Sequence, residues 1–543
     1  MGDLAAIALG AAAFFIFCGW WLLIPNNIAW LTIADRTMHQ LGWMFFRDTP
    51  WGTPPGVSPR LGIEVANSIA LADSLPLFAI PFKLLGAWLP QPFQYWGYWF
   101  LLSFSLQSFF AYRLARELSV GRFMALMAAA FALITPAFLF RVPMHMALSG
   151  HFVLLAGLYL YARKTPPAVW VWPLLVALTA AIHGTLLAMV LGIWFAAWVQ
   201  RLWLGRIRLV PAAAEIILIP SLVGIVLWAV GFLEATSFGT YGYGDYKLNL
   251  LWPLIRYRWS SIFPDLPHTR FDYEGLSFLG IGIIALLVIA IVTGAIASLR
   301  RLAGRFWLPL VLSLVVMMVF GYSKNISLGS IELVHLPVPE FINKIGAAFR
   351  STGRFVWPIL YLVTIGSVAL VARRFRLAVA LPLVLAAFIG QAVDSAPAWR
   401  AFAKSIPAPA DIWPTPLRSP IWQRAADAGY NRVRAIPVTG LNRDYRWLGY
   451  YAVLHGMEVD AIYLARIDED AYLLHRANTE KMLETGDFEP KTVYTLDVYS
   501  AFKAQQHLTP NDFLGMIDGR IVFIRGGARL AEGVPFRPFT QRD

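Results

Sequence analysis

Cysteine is almost absent from this sequence, since Cys18 is the only one among 543 residues. A single cysteine excludes a disulfide within the chain and a cysteine-based zinc cluster. Charged residues are also scarce, at 14% of the chain, against about 25% in ordinary soluble domains. Hydrophobic residues make up 58%. The composition therefore excludes an ordinary soluble protein.

The N-terminal pattern does not predict a removable signal peptide. The start "MGDLAA" carries no basic segment, and no small-residue cleavage site precedes "WWLLIPNN". We therefore expect residues 5–24 to be a retained membrane span.

Acidic residues are outnumbered, with 32 Asp and Glu against 45 Lys and Arg, and the net charge is +13. The basic residues form short clusters between apolar runs, which is typical of cytoplasmic loops and argues against a nucleic-acid partner. The clusters are Arg113, Arg116 and Arg122; Arg163 and Lys164; Arg201, Arg206 and Arg208; Arg300, Arg301 and Arg305; Arg373, Arg374 and Arg376.

Apolar runs long enough to cross a bilayer, roughly 20 residues each, recur between the clusters. Placing every cluster on one side predicts a polytopic α-helical membrane protein with eleven spans and a cytoplasmic N-terminus. The predicted spans are 5–24, 95–112, 122–140, 146–162, two short ones within 164–201 that turn at His183–Gly184, 209–232, 276–298, 306–322, 355–371 and 377–394.

This topology divides the chain into a membrane domain, 1–394, and an exoplasmic domain, 395–543. Residues 25–94 form the first exoplasmic loop. Within it, "SLPLFAIPFKLLGAWLP" (74–90) is short and contains Pro76, Pro81 and Lys83, so we assign it a juxtamembrane or re-entrant position. If it spanned the membrane, the later basic clusters would lie outside.

Mixed polar residues collect on the predicted outer face, where ionisable groups at membrane depth are costly and often mark a site. Singly, each histidine reads as a helix cap or an interfacial residue, but together the group favours a shared cavity. The substrate-binding candidates are His39, Arg60, Glu64, Lys83, Arg141, His145, His151, His183 and Glu274.

Asp35 lies about ten residues beyond the first predicted span, in "IADRTMHQLGW". A carboxylate shielded on one side by lipid could act as a general base. The alternative is a loop acid paired with Arg36.

"FRSTGRF" (349–355) places Arg350 and Arg354 around two hydroxyls and a glycine. Two guanidinium groups there suit a phosphate or pyrophosphate, or they contact ordinary lipid headgroups. Glu274 could bind a sugar hydroxyl or pair with a cation. His145 and His151 are six residues apart, about 240° around a helix, so a chelating pair and a metal site are not expected.

The tail, 395–543, alternates strand-like runs with helical segments such as 468–485, which predicts a small α/β domain. The strand-like runs are "VRAIPV" (433–438), "AIYLA" (461–465), "TVYTLD" (492–497) and "GRIVFIRG" (519–526). The aromatic run "TGLNRDYRWLGYYAVLHG" (439–456) suits core packing better than sugar stacking. We interpret the tail as an acceptor-binding or lid element.

Several stretches carry a resemblance to the GT-C superfamily of membrane glycosyltransferases, in particular to an uncharacterised bacterial branch. They are "ADRTMHQLGWMFFRDTPW", "DSLPLFAIPFKLLGAWLPQPFQYWGYW", "HMALSGHFVLLAGLYLY", "NLLWPL" with "YEGLSFLG", and "FRSTGRFVWP". The resemblance covers the membrane region and, more loosely, the tail.

The resemblance implies a GT-C fold in a bacterial inner membrane, with a periplasmic C-terminal domain. It implies transfer of a sugar from a polyprenyl-phosphate carrier to a hydroxyl of a lipid or glycan acceptor. Asp35 matches the first-loop catalytic base, and Arg350 and Arg354 correspond to residues that hold the carrier phosphate. "ADR" replaces a paired-acid motif, so we expect no catalytic divalent metal and no other cofactor.

Three alternatives remain open. A flippase for a lipid-linked saccharide needs the same sugar and phosphate contacts without a base, but internal repeats typical of transporters are not evident. A membrane acyl- or phospho-transferase would place a histidine–acid pair within a span. A structural assembly protein would not explain the polar outer face.

Overall fold

The structure is a computed structural model that describes residues 1–65, 67–235, 242–297, 304–439, 444–464 and 467–540. Some features singled out in the sequence lie outside these residues. They are residue 298, Arg300 and Arg301, residues 440–443, and residue 465.

Most of the described chain is helical. The helices are α1 (Gly2–Phe17), α2 (Asp35–Asp48), α3 (Pro76–Leu84), α4 (Trp96–Glu117), α5 (Arg122–Leu133), α6 (Pro136–Arg141), α7 (Phe152–Ala162), α8 (Val171–Ala180), α9 (Gly184–Trp203), α10 (Leu209–Ala229), α11 (Ile281–Val292), α12 (Leu308–Tyr322), α13 (Glu340–Phe349), α14 (Trp357–Arg374), α15 (Leu377–Ser405), α16 (Pro420–Asp427), α17 (Tyr445–Leu454), α18 (Glu469–Thr485) and α19 (Val498–Gln505). The strands are β1 (Asn325–Leu328), β2 (Ile331–His335), β3 (Arg432–Ile436), β4 (Glu458–Val459), β5 (Thr492–Leu496), β6 (Phe513–Ile517), β7 (Arg520–Ile524) and β8 (Arg537–Pro538).

The chain forms two compact units. The first comprises Met1–Asn27, Gln94–Val226 and Thr240–Pro409, and the second comprises Ile28–Phe93, Leu227–Gly239 and Ala410–Asp543. Most of the predicted first exoplasmic loop therefore shares a unit with the C-terminal residues. The predicted boundary at residue 394 falls inside α15, which continues to Ser405.

Five helices of the described chain are long and apolar enough to cross a membrane: Arg122–Arg141, Gly184–Trp203, Leu209–Ala229, Thr352–Arg374 and Leu377–Ser405. Shorter apolar helices are Gly2–Phe17, Met146–Ala162, Val171–Ala180, Ile281–Val292 and Leu308–Tyr322. The expectation of a membrane protein built of apolar helices is thus met, while the count of eleven spans stays a prediction.

Burial separates these apolar helices into inner and outer ones. In α14, most of the spanning window is buried, whereas in α10 and α15 only 17% and 22% is buried. Apolar side chains that face outward along a whole helix suit contact with lipid rather than water.

The predicted turn between two helices within 164–201 is confirmed, because α8 ends at Ala180 and α9 begins at Gly184. The His183 imidazole caps α9 by accepting a hydrogen bond from the amide of Thr185 at 3.0 Å. Such a cap satisfies an amide that has no partner inside the helix.

Helix α3 covers only nine residues, with a short 3-10 turn at Gly86–Trp88 after it. At about 1.5 Å per residue it reaches less than half of a hydrocarbon core of about 30 Å. This length agrees with a segment that does not span the membrane.

The second unit contains a six-stranded mixed sheet in the order β4-β3-β5-β7-β6-β8. Strand β3 runs parallel to β4 and β5, and β7 is antiparallel to β5 and β6. Alternating apolar residues build a core on the sheet that includes Tyr494 and Phe523, both fully buried. A small C-terminal sheet domain is therefore confirmed.

Three of the four predicted strands are confirmed as β3, β5 and β7, and the helix predicted at 468–485 is α18. The prediction at 461–465 was wrong for its described residues, because the strand β4 lies just before them and ends at Val459. Asp460 ends it there by accepting a hydrogen bond from the amide of Ala435 with its carboxylate.

Candidate functional site

Asp35 is the first residue of α2 and is half-buried. The residue before it, Ala34, has a φ of 51°, a conformation that side-chain-bearing residues rarely adopt. From Arg36 to Trp43 every residue of α2 is buried. The half-buried Asp35 therefore lies at the start of a buried helix, where the amide dipoles stabilise negative charge.

Helix α17 supplies polar neighbours to this end of α2. The Tyr445 hydroxyl donates to the carbonyl of Ala34 at 3.0 Å, and Arg446 donates to the carbonyl of Thr32 at 3.0 Å. Burial raises the pKa of Tyr445 to about 12. A hydrogen bond with Thr37 opposes this shift, and the negative charge of Asp35 adds to it. Tyr445 is thus a neutral donor that holds the strained start of α2.

The other half of α2 is fixed by backbone contacts. Gln40 and Trp43 both donate to the carbonyl of Phe93, at 3.0 and 2.9 Å.

Arg36, which the sequence offers as a partner for Asp35, donates to the carbonyl of Trp30 at 3.0 Å. Arg36 thus has a role in holding the loop before α2.

Lys83 of α3 is 9% exposed, and its ammonium lies 4.0 Å from the ring centre of Phe46 and 4.5 Å from that of Trp51. Burial lowers the pKa of Lys83 to about 8, and the charge of Asp48 opposes this shift. The aromatic faces stabilise the cation in place of water.

Glu64 belongs to an ionic cluster on the parallel edge of the sheet. Arg434 of β3 contacts Glu64 at 2.5 Å, Glu489 at 2.6 Å and Asp460 at 3.4 Å. His475 of α18 lies 3.4 Å from Glu64 and 3.5 Å from Asp460. Burial acts to raise the pKa of Glu489, but the hydrogen bonds from Arg434 outweigh this effect and lower it. Arg60 nearby in sequence donates to the carbonyl of Met457 at 3.1 Å.

A second ionic cluster lies in the first unit and centres on Glu274. Its carboxylate accepts hydrogen bonds from Arg354 and, at 3.2 Å, from Arg141, while His145 Nε2 lies 3.2 Å away. The side chains of Arg141, Glu274 and Arg354 are 0%, 8% and 7% exposed. We call Arg141, His145, Glu274 and Arg354 the Glu274 cluster.

The Glu274 cluster holds two permanent positive charges against one negative charge. Burial would raise the pKa of Glu274, but Arg354, His145 and Arg141 together hold it well below its usual range. The Nε atoms of Arg141 and Arg354 are buried without a hydrogen-bond partner among the described residues. The cluster therefore retains a net positive charge and donors directed at no acceptor.

Arg350 directly follows α13 in the sequence, four residues before Arg354 of this cluster, and it has a φ of 59°. Its guanidinium donates to the Tyr246 hydroxyl at 3.2 Å and lies 5.0 Å from that ring. A Cβ on Gly242 would come within 2.5 Å of the Arg350 side chain, so only glycine leaves room there. Backbone strain of this kind persists where the surroundings enforce it, often at functional sites.

His151 is fully buried, with Nδ1 2.7 Å from the Tyr361 hydroxyl and its ring 4.2 Å from Trp357. His183 is the cap of α9, and His39 is buried within α2. The structure thus brings His145 into the Glu274 cluster and places His151 beside it, since Trp357 contacts both His151 and Arg141. His183 and His39 have separate surroundings.

The predicted site residues divide between the two units. Asp35, His39, Arg60, Glu64 and Lys83 belong to the second unit, and the remainder belong to the first. Sequence reasoning missed Tyr445 and Arg446 beside Asp35, although both lie in the aromatic run it singled out. It also missed Tyr246, Arg434 and His475, whose types carry no signal without their neighbours.

Among the residues that the structure describes, no group of three histidine, cysteine, aspartate or glutamate side chains could hold a metal ion. Both ionic clusters instead include arginine, which occupies the carboxylate oxygens.

Apolar helices joined to a small mixed-sheet domain define a helical membrane-type protein with a compact sheet domain. Residues 7–396 match the family model described as a domain of unknown function, DUF6311, and residues 421–525 match the DUF6311 C-terminal domain. The first match covers more than half of the chain, which therefore belongs to this family. A search of curated proteins finds no match.

Proposed function

We propose that this protein is a membrane glycosyltransferase of the GT-C type. It moves a sugar from a polyprenyl-phosphate carrier to a hydroxyl of a lipid or glycan acceptor at the periplasmic face of a bacterial inner membrane. The proposal includes eleven spans, a cytoplasmic N-terminus and a periplasmic sheet domain. It requires no metal or other cofactor.

The observation that carries the proposal is the setting of Asp35. The half-buried Asp35 begins a helix whose next eight residues are all buried, so the backbone that carries its carboxylate is held in place. In the reaction, Asp35 accepts the proton of the acceptor hydroxyl as the oxygen attacks the anomeric carbon. The bond between that carbon and the phosphate oxygen breaks, and polyprenyl phosphate leaves with the electron pair.

Arg350 is the residue proposed to meet the carrier phosphate, supported by its strained backbone and its orientation on Tyr246. A planar guanidinium can bind two phosphate oxygens at once. Arg354 bonds Glu274, so its contribution is the net positive charge of the Glu274 cluster. Glu274 and His145 then orient the guanidinium groups, and a direct contact between Glu274 and sugar is not part of the proposal.

The test uses the full-length protein in proteoliposomes that contain polyprenyl-phosphate sugars carrying a labelled sugar, with a panel of lipid and glycan acceptors. We expect the label to appear covalently on an acceptor, with release of one polyprenyl phosphate per sugar. Movement of intact labelled donor between leaflets without any transfer product would instead establish the flippase and refute the proposal.

A further inference from the structure

Residues 325–349 carry many exposed large apolar side chains, and we call this segment the apolar lip. It consists of the β1–β2 hairpin followed by α13. Large apolar side chains that are at least 40% exposed line it: Leu328, Ile331, Leu333, Val334, Leu336, Phe341 and Ile345. Seven large exposed apolar side chains within residues 328–345 are unusual for a segment that faces only water.

Hydrogen bonds and close packing hold the apolar lip against the rest of the first unit. The side chain of Asn249 bonds the turn at Gly329 in both directions, at 2.7 and 3.0 Å, and Leu250 donates to the carbonyl of Ser327 at 2.9 Å. Gly346 of α13 packs so closely on Tyr243 that a Cβ would lie 2.4 Å from the ring. The exposed apolar face is therefore presented in a fixed orientation.

The two ends of the lip continue into apolar helices. Helix α12 ends at Tyr322, just before the lip, and the candidate span Thr352–Arg374 begins just after it. Thr352 donates to the carbonyl of Gly321 at 3.4 Å, and Phe320 contacts Phe355 with ring centres 4.9 Å apart. The lip therefore begins and ends at the same level of the helix bundle.

On the outer face of α13, Phe341 and Ile345 are one turn apart, with the exposed Lys344 beside them. An apolar pair next to a lysine fits the boundary between acyl chains and phosphate headgroups, where the ammonium reaches the headgroups. Water would leave the apolar pair unburied, and a purely apolar phase would leave the lysine without hydration.

We infer that the apolar lip is a bilayer-docking element that lies in the headgroup–acyl boundary. Docking of α13 also holds Arg350, the residue after it, at the level of lipid phosphates. This inference goes beyond the proposed function and is independent of sugar transfer.

The test exploits the single cysteine. Cys18 is buried, and Cys18→Ala provides a cysteine-free background with one substitution. Phe341→Cys and Leu333→Cys are each labelled with an environment-sensitive fluorophore in the full-length protein in lipid nanodiscs. Tyr499→Cys on α19 is the matched control, because Tyr499 is 65% exposed and Phe341 is 63% exposed.

We expect a blue-shifted emission at both lip positions, with quenching by spin-labelled lipids at least threefold stronger than at the control. Quenching equal to the control would overturn the inference. A blue shift without lipid quenching would also overturn it, since a second protein chain would then cover the lip. Ile345→Cys repeats the measurement if Phe341→Cys does not fold.

Discussion

Removing the negative charge of the Glu274 cluster by Glu274→Gln should strongly destabilise the first unit. Glutamine keeps the size of the side chain but leaves the guanidinium groups of Arg141 and Arg354 buried without a counter-ion. Their side chains are 0% and 7% exposed, so water cannot replace the lost carboxylate. Breaking a buried ion pair in this way costs about 3–5 kcal/mol.

For a unit of this size, the loss corresponds to a fall in Tm on the order of 4–7 °C, measured by thermal unfolding in nanodiscs. Asp3→Asn is the matched control in the same unit, because the paired side chains of Asp3 and Arg113 are 41% and 39% exposed. An exposed pair contributes about 0–1 kcal/mol. A Tm for Glu274→Gln that matches this control would refute the account of the cluster.

The same cluster predicts a pH dependence. Because the pKa of Glu274 is held low in the folded protein, its stabilising contribution is complete above the unfolded value of about 4.3. It is lost as the pH falls towards the folded value. Glu274→Gln should therefore lose less stability than the wild type on acidification, and an unchanged acid limb of the Tm–pH curve would contradict this assignment.

Three further outcomes are expected in the second unit. Lys83→Met should raise Tm below pH 8, and the gain should shrink between pH 8 and 10.5 as the wild-type amine loses its proton; a gain independent of pH would contradict the burial argument. Arg434→Ala should cost about 3 kcal/mol by removing the guanidinium partner of the buried Asp460, seen as faster hydrogen exchange in β3, and unchanged exchange would argue against it. Tyr445→Phe removes the hydrogen bond to the carbonyl of Ala34 and should lower the rate of sugar transfer about tenfold. Its Tm should change by less than the Tm of Arg434→Ala. An unchanged transfer rate would exclude this positioning role.

Much of the fold follows from apolar length and from turn residues. The break at His183–Gly184 can be predicted because an apolar stretch of 36 residues is too long for one straight membrane span. Strands β5 and β7 can be predicted because they are short runs rich in β-branched residues. The strand β4 was misplaced because the run "AIYLA" has strand composition, whereas Asp460 closes the strand by bonding the neighbouring one. Such a tertiary contact leaves no local pattern.

The candidate site was predictable only in part. Glu274 and Arg354 are unusual as ionisable residues next to apolar helices, but 80 residues separate them, so nothing local indicates that they pair. Glu64 likewise meets Arg434 across 370 residues. The grouping of the first loop with the C-terminal residues follows from these distant contacts, which composition and periodicity cannot encode.

Sugar transfer by Asp35→Asn tests the central claim most directly. The amide keeps the shape of the side chain but cannot accept the acceptor's proton, and general-base catalysis contributes about 10²–10⁴-fold. We predict a loss of transfer from polyprenyl-phosphate donor of at least 100-fold with a Tm within about 2 °C of the wild type, while the exposed control Glu480→Gln, whose side chain is 62% exposed, transfers at the wild-type rate. Wild-type transfer by Asp35→Asn would contradict the account.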